Sequence, residues 1–142
     1  MKTFDEVLAG LPSVEQADHP GLGWALAHCA QSLELSVTGF PNQKPAWFQK
    51  TIGRFVLGRF LAKGAMSHDV SAATPGATDV DRATPLADGA QRLRAAIALF
   101  RAHSGDLKPH VVYGAVDRAR YEAVHAMHIA NHLGWPLRTT RV

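Results

Sequence analysis

Residues 117–134 read DRARYEAVHAMHIANHLG and carry the most informative pattern in the chain. Asp117 is a typical helix N-cap, and Gly134 followed by Trp135-Pro136 is a typical helix end, so this pattern predicts a final helix that runs to Leu133. One face of that helix combines apolar side chains with imidazoles, at Tyr121, Val124, His125, His128 and His132. We therefore expect these histidines to lie at or near a core.

His128 and His132 are four residues apart, so their side chains rise from the same face of the predicted helix, about one turn apart. A helix offers two nitrogens to one metal ion by this spacing. Neighbouring buried imidazoles cannot all become charged without repelling one another, whereas a metal ion takes neutral imidazole as a ligand. The spacing alone fits equally well an ordinary helix that is rich in histidine.

A third histidine, His28, lies in the middle of another predicted helix, among small and apolar residues. A single histidine on such a face is often a hydrogen-bonded core residue, but helical bundles also build metal sites from inward-facing positions of this kind. The neighbouring Cys29 is the only cysteine, which excludes a disulfide within the chain and a four-cysteine zinc site. Because it points about 100° away from His28 around the helix, we interpret Cys29 as a small buried apolar residue.

Helical periodicity and helix-end signals predict four long helices and one short one, over about residues 3–10, 22–38, 46–63, 86–102 and 118–133. The short helix opens with a capping-box pattern at Thr3 and Glu6 and is predicted to stop near Gly10, before Pro12. The stretches between the helices are predicted to be loops, and no strand is predicted. These elements favour an all-α fold, a four-helix bundle with long crossover connections, in a single domain over residues 1–142.

The composition limits the class of protein. The 142 residues are 46% hydrophobic and 19% charged, which is typical of one globular domain. The formal net charge is only +3 and the basic residues are scattered, so we expect no nucleic-acid partner. No apolar run approaches the ~20 residues of a membrane span, and the polar N-terminus lacks the apolar core of a signal peptide. We expect a cytoplasmic protein without a membrane partner.

Four motifs occur in order along nearly the whole chain, WALAHCAQSLE at 24–34, MSHD at 66–69 leading to PGA at 75–77, PHVVYG at 109–114 and MHIANHL at 127–133. Together they resemble the DinB-like superfamily, and more narrowly one of its branches of unknown function. The resemblance implies a four-helix bundle with a long crossover and a divalent transition metal, zinc or nickel, bound by three histidines. One comes from an early helix and two from the last, which by position are His28, His128 and His132.

Other residues are candidates for the surroundings of this metal. His125 lies on the same helix face, one turn before His128, and could be a fourth ligand, a group behind the ligands or a base lining a pocket. His68, and His110 near Tyr113, lie in predicted loops that could cover the site, but an ordinary surface position is the preferred interpretation of both histidines. No dedicated carboxylate base, glycine-rich phosphate loop or Ser-His-Asp order is evident, which favours a water or thiol activated by a metal.

The function predicted from these observations is a metal-dependent transferase or hydrolase acting on a small molecule. Related families include transferases and isomerases that use a low-molecular-weight thiol, so the resemblance implies a thiol as a second cofactor and a homodimer as the assembly. One alternative is a non-catalytic helical bundle that binds a metal or a small ligand. Another is a structural or dimerising bundle without a metal.

Overall fold

The computed structural model describes residues 3–67 and 71–134. These residues form six α-helices and one π-helical turn, namely α1 (Phe4–Ala17), α2 (Leu22–Thr38), α3 (Ala46–Phe48), the π-helical turn (Gln49–Gly53), α4 (Arg54–Lys63), α5 (Leu86–Ala102) and α6 (Arg118–Leu133). Within the described ranges the only β pairing is an isolated antiparallel bridge between His110 and Gly114. The predicted all-α class is therefore confirmed. No helix in this part of the chain combines the length and the apolar character that crossing a membrane requires.

Helix α1 begins where the sequence predicts. The backbone amide of Glu6 donates a hydrogen bond of 3.2 Å to the side-chain oxygen of Thr3, which is the N-cap. This pairing satisfies one of the amides that the first turn of a helix leaves without a partner. At its other end α1 stops at Asp18, whose φ of 43° is left-handed.

The predicted end of α1 near Gly10 is wrong, because the helix continues through Pro12 to Ala17. Leu11 and Val14 continue the buried face that the first turn begins, while Pro12 faces solvent. Burying the two apolar side chains stabilises the longer helix by about 1.5–3 kcal/mol each. This gain offsets the cost of about 3 kcal/mol for a proline inside a helix.

The main core lies between α1, α2, α5 and α6. Its largest fully buried side chains come from all four helices and include Phe4, Leu11, Leu26, Leu33, Leu93, Ile97, Phe100, Tyr121 and Ile129. A hydrogen bond of 2.8 Å from the amide of Phe4 to Oε1 of Glu122 joins the start of α1 to α6. The two helices that carry the candidate metal ligands, α2 and α6, are therefore held by one continuous core.

Helices α2 and α5 pack along much of their length and approach closely at two glycines. A Cβ added to Gly89 would lie 3.1 Å from the Cα of Gly23, and a Cβ added to Gly23 would collide with the carbonyl oxygen of Thr84. Nearer the other end of α2, Arg92 and Glu34 form a two-point ion pair with distances of 2.9 and 2.8 Å. These contacts fix the position of α2, and with it His28, relative to α5.

The predicted helix over residues 46–63 is helical throughout but is interrupted by the π-helical turn. Gly53 ends this turn, and a Cβ at this position would collide with the carbonyl oxygen of Val112. On one side of the segment Leu57 packs with Tyr113 and Val124 in a second, smaller apolar cluster. The outer side exposes three large apolar side chains, those of Trp47, Ile52 and Phe55.

Candidate metal centre

The structure brings His28, His128 and His132 together. Each offers one ring nitrogen, and the three nitrogens all lie within 4.8 Å of one another. The Nε2 atoms of His128 and His132 are 3.1 Å apart, and the ring of His28 has its centre 4.7 Å from that of His132 and 5.2 Å from that of His128. Residues from the early part and from the end of the sequence thus lie together at one point.

Local helix signals position the pair on α6. The Oδ1 atom of Asp117 accepts a hydrogen bond of 2.9 Å from the backbone amide of Arg120, and Gly134 ends the helix with a φ of 70°. Both predicted ends of this helix are confirmed. Since α6 stays helical through its last turn, His128 and His132 keep the four-residue spacing that places them on one face.

Trp24 supports the ligand cluster from the side. Its ring stacks on that of His28 with centres 4.9 Å apart and an angle of 9° between the planes, and its edge approaches His132 at 6.0 Å. Arg82 lies on the connection between α4 and α5. Its guanidinium carbon is 3.8 Å from the centre of the Trp24 ring. A stack of three side chains therefore links this connection to a candidate ligand.

Two hydrogen bonds fix the same connection, one within it and one to α2. Arg82 donates to the carbonyl oxygen of Ser71 at 2.9 Å, and Nε2 of Gln31 on α2 donates to the carbonyl oxygen of Thr78 at 2.6 Å. Sequence reasoning did not assign Trp24 or Arg82 to the site. The four-residue spacing from Trp24 to His28 was an available signal, whereas no local pattern points to Arg82.

The cluster has the chemistry of a metal site. Zinc in tetrahedral coordination binds imidazole nitrogen at about 2.0–2.1 Å, which places two ligand nitrogens about 3.3 Å apart. The observed separations need only small side-chain rotations to reach that value. His28 is 4% exposed, while His128 and His132 are half-buried, so the cluster is accessible from one side. Imidazole ligands suit zinc, nickel, copper and iron.

Cys29 does not belong to this cluster. The thiol is completely buried, and burial raises its pKa because the thiolate would lose its hydration. A buried protonated thiol is neither a metal ligand nor a nucleophile. The structure thus agrees with the prediction that Cys29 acts as a small apolar core residue.

A cavity of about 200 Å³ adjoins the three histidines, and His28 and His128 form part of its wall. His110, Tyr113 and His125, three of the four residues predicted to surround the metal, also line this cavity. His125 is absent from the cluster of three nitrogens. The fourth predicted residue, His68, lies outside the described residues.

His125 is 1% exposed and is surrounded by aromatic rings. Its ring stacks on Tyr121, with centres 5.0 Å apart, and meets the edge of Phe100 at 5.6 Å. Burial, with a smaller contribution from the neighbouring His110, lowers the pKa of His125 to about 3, so the imidazole is neutral near pH 7. Its Nε2 atom has no hydrogen-bond partner among the described residues.

His110 is also neutral, because burial lowers its pKa to about 4. Its Nδ1 atom accepts hydrogen bonds from the backbone amides of Val112 and Tyr113, at 3.1 and 3.3 Å. In a neutral imidazole whose Nδ1 is the acceptor, Nε2 carries the hydrogen. The ring stacks on Tyr113 with centres 4.4 Å apart. His110 therefore has a fixed orientation and a defined donor atom.

The fold and this site define an all-α protein with a cluster of three histidines beside a partly open cavity. The sequence profile of a family described as a protein of unknown function (DUF1569) matches residues 10–136, and the chain belongs to that family. The matched region includes both helices that carry the histidines. Searches of curated proteins and of solved structures gave no match.

Proposed function

We propose that this protein binds one divalent transition metal ion, zinc or nickel, and uses it in a transfer or hydrolysis reaction on a small molecule. One observation carries the proposal, the convergence of three imidazole nitrogens within 4.8 Å at the wall of a cavity. Three protein ligands are the number that catalytic zinc sites use, with one further position left for water or substrate.

His28, His128 and His132 would hold the ion, and Trp24 would keep the ring of His28 in place by stacking on it. A bound divalent ion supplies Lewis-acid chemistry, which makes a water molecule or a thiol nucleophilic near neutral pH. The cavity would orient the substrate beside His128. A low-molecular-weight thiol is the co-substrate that the DinB-like resemblance implies.

We also propose that the fold is a four-helix bundle of the DinB-like kind. Helices α1, α2, α5 and α6 share the main core, and a long connection separates α4 from α5. One candidate ligand comes from α2 and two come from α6, the last helix described. This arrangement supports the proposal because it is the one that the resemblance implies.

An activity assay on metal-free and metal-loaded protein tests the proposed reaction. The protein, prepared without a histidine tag, is loaded with zinc or nickel and incubated with small esters and electrophiles, with and without common cellular thiols. We expect turnover that needs the metal, disappears in His128→Ala and persists in His19→Ala, a variant of an exposed histidine. A protein that binds the metal without any turnover would instead be a non-catalytic metal-binding module, and a protein that binds no metal would exclude both functions.

A further inference from the structure

We propose that the cavity beside the three-histidine cluster binds a small, uncharged and mainly apolar molecule with one hydrogen-bonding group, which His110 and His125 recognise. The inference rests on the proposed function, since it names the ligand class of the same site. The recognition itself involves side chains outside the metal cluster, so it can be tested without a metal.

The lining of the cavity favours an uncharged ligand. Among the described residues that line it there is no Lys, Arg, Asp or Glu. Its apolar wall includes Phe40, Met66, Pro75, Val111, Val112 and Val124. A charged ligand would lose its hydration in such a cavity without gaining an opposite charge, and this makes its binding unfavourable.

His110 supplies a hydrogen-bond donor of known identity. Because its Nδ1 atom is occupied by the backbone amides of Val112 and Tyr113, its hydrogen lies on Nε2. Stacking on Tyr113 fixes the plane of the ring. A donor held in this way can select a carbonyl or hydroxyl oxygen by position as well as by chemistry.

His125 supplies the observation that points most directly to a ligand. It is a nearly completely buried polar side chain whose Nε2 has no partner among the described residues, although buried polar groups in proteins are nearly always hydrogen-bonded. The rings of His125 and His110 both contact Tyr121, at 5.0 and 6.0 Å between centres, and both line the cavity. A neutral imidazole can donate or accept, so the pair suits an amide or a hydroxyl group.

The size and position of the cavity complete the assignment. At about 200 Å³ it holds a small molecule and excludes a polymer. His28 and His128 form another part of its wall, so a ligand held by His110 and His125 would have its remaining atoms close to the metal cluster. The apolar wall would bind the bulk of the ligand, and the two imidazoles would set its orientation.

The test uses metal-free, untagged full-length protein with ¹⁵N-labelled histidine. The probes are benzamide, benzoate and benzylamine, which have nearly the same size but are neutral, negative and positive at pH 7, together with a panel of small neutral amides and alcohols. We expect neutral probes to shift the ring nitrogen signals of His110 and His125, and benzoate and benzylamine to bind at least about tenfold more weakly.

Two variants assign the binding to the two histidines. His125→Leu removes both ring nitrogens with little change in volume. His110→Asn leaves an oxygen to accept from the backbone amides of Val112 and Tyr113 but removes the Nε2 donor. Each variant should weaken the tightest neutral probe by about tenfold, whereas His103→Asn, outside the cavity, should leave the affinity unchanged. If His125→Leu fails to fold, the affinity of His110→Asn for the neutral probe tests the proposed recognition by itself.

The proposal is overturned if charged probes bind as tightly as neutral ones, or if no neutral probe shifts the signals of His110 and His125, which would mean that the cavity holds only solvent. Zinc binding by the same variants separates this inference from the proposed function. We expect His110→Asn and His125→Leu to keep wild-type zinc affinity. If the protein binds neutral probes but no zinc, the proposed metal-dependent function is contradicted, whereas the inferred binding of a small uncharged molecule still holds.

Discussion

The Nε2 atoms of His128 and His132 face each other at 3.1 Å across one turn of α6. Two nitrogens at this distance share one hydrogen at most, and they cannot both belong to charged rings without strong repulsion. With the nitrogen of His28 also within 4.8 Å, the arrangement gathers three imidazoles around a point where one cation would take all three nitrogens as ligands.

Metal binding should stabilise the folded protein, because the unfolded chain does not hold the three histidines together. At a free zinc concentration about 1,000 times the dissociation constant, the expected gain is about 4 kcal/mol. For a chain of this size that corresponds to a rise of roughly 10 °C in Tm. Thermal unfolding followed by circular dichroism measures it. His132→Ala should lose the rise and His19→Ala should keep it; an equal rise in His132→Ala would show that zinc binds elsewhere.

Trp24 should act as a positioning residue for the metal. Trp24→Leu removes the ring that stacks on His28, and the loss of such a supporting group weakens metal binding by about 10–100-fold. Trp47→Leu is the matched control, because Trp47 is 65% exposed and lies outside the site. Competition with a chelator of known affinity gives both dissociation constants. If the two variants bind zinc equally well, the stacking contact does not position the ligand.

Replacing His125 should stabilise the metal-free protein while it impairs ligand binding. An unpaired buried imidazole costs about 1–3 kcal/mol, and leucine fills a similar volume without a polar atom. Part of this gain is lost with the stacking on Tyr121. We expect His125→Leu to raise the free energy of unfolding at pH 7 by about 1 kcal/mol in urea denaturation. A destabilised variant would mean that His125 has a structural role.

The lowered pKa values also predict an acid-dependent loss of stability. Below a pKa of about 6.5 the unfolded chain takes up a proton on each histidine, whereas folded His125 and His110 stay neutral down to about pH 3 and pH 4. Stability therefore falls as the pH decreases from about 6 to 4, by about 1.4 kcal/mol per pH unit for each of the two. Urea denaturation at a series of pH values measures this dependence. In His125→Leu the free energy of unfolding should change less steeply with pH, by about 1.4 kcal/mol per pH unit. An unchanged slope would show that His125 is protonated in the folded state.

The contact between α2 and α5 gives a prediction about the fold. A methyl group at Gly89 would meet the backbone of Gly23, so Gly89→Ala should force the helices apart and lower the free energy of unfolding by about 1–3 kcal/mol. A methyl group at Gly58 on α4 meets nothing within 4 Å. Gly58→Ala should therefore be stabilising, by about 0.5–1 kcal/mol. Urea denaturation of both variants tests this, and equal effects would contradict the close approach.

Helix ends were predictable wherever a local signal decides them. Asp117 and Gly134 bound α6 because a side-chain cap and a left-handed glycine act within a few residues. The end of α1 was not predictable in this way, because the burial of Leu11 and Val14 against distant helices outweighs the local effect of Pro12.

The homodimer and the cytoplasmic location stay predictions.

The candidate site, like the helix ends, was predictable where local sequence patterns decide it. The spacing of His128 and His132 follows from helix geometry alone, and the addition of His28 depends on the resemblance as well as on its place in the chain. The contact of Arg82 with Trp24 could not be predicted, since it depends on how the connection after α4 folds back over α2. The hydrogen position on His110 also depends on a loop conformation without a sequence signature.

Metal content measures the central claim most directly. Untagged protein is stripped with a chelator, dialysed against zinc and then against metal-free buffer, and analysed by plasma mass spectrometry. We expect about one zinc ion per chain in the wild type and in His19→Ala, and almost none in His28→Ala or His128→Ala. A wild-type protein without zinc, or a zinc content that is unchanged in the His28→Ala and His128→Ala variants, would contradict the three-histidine metal site.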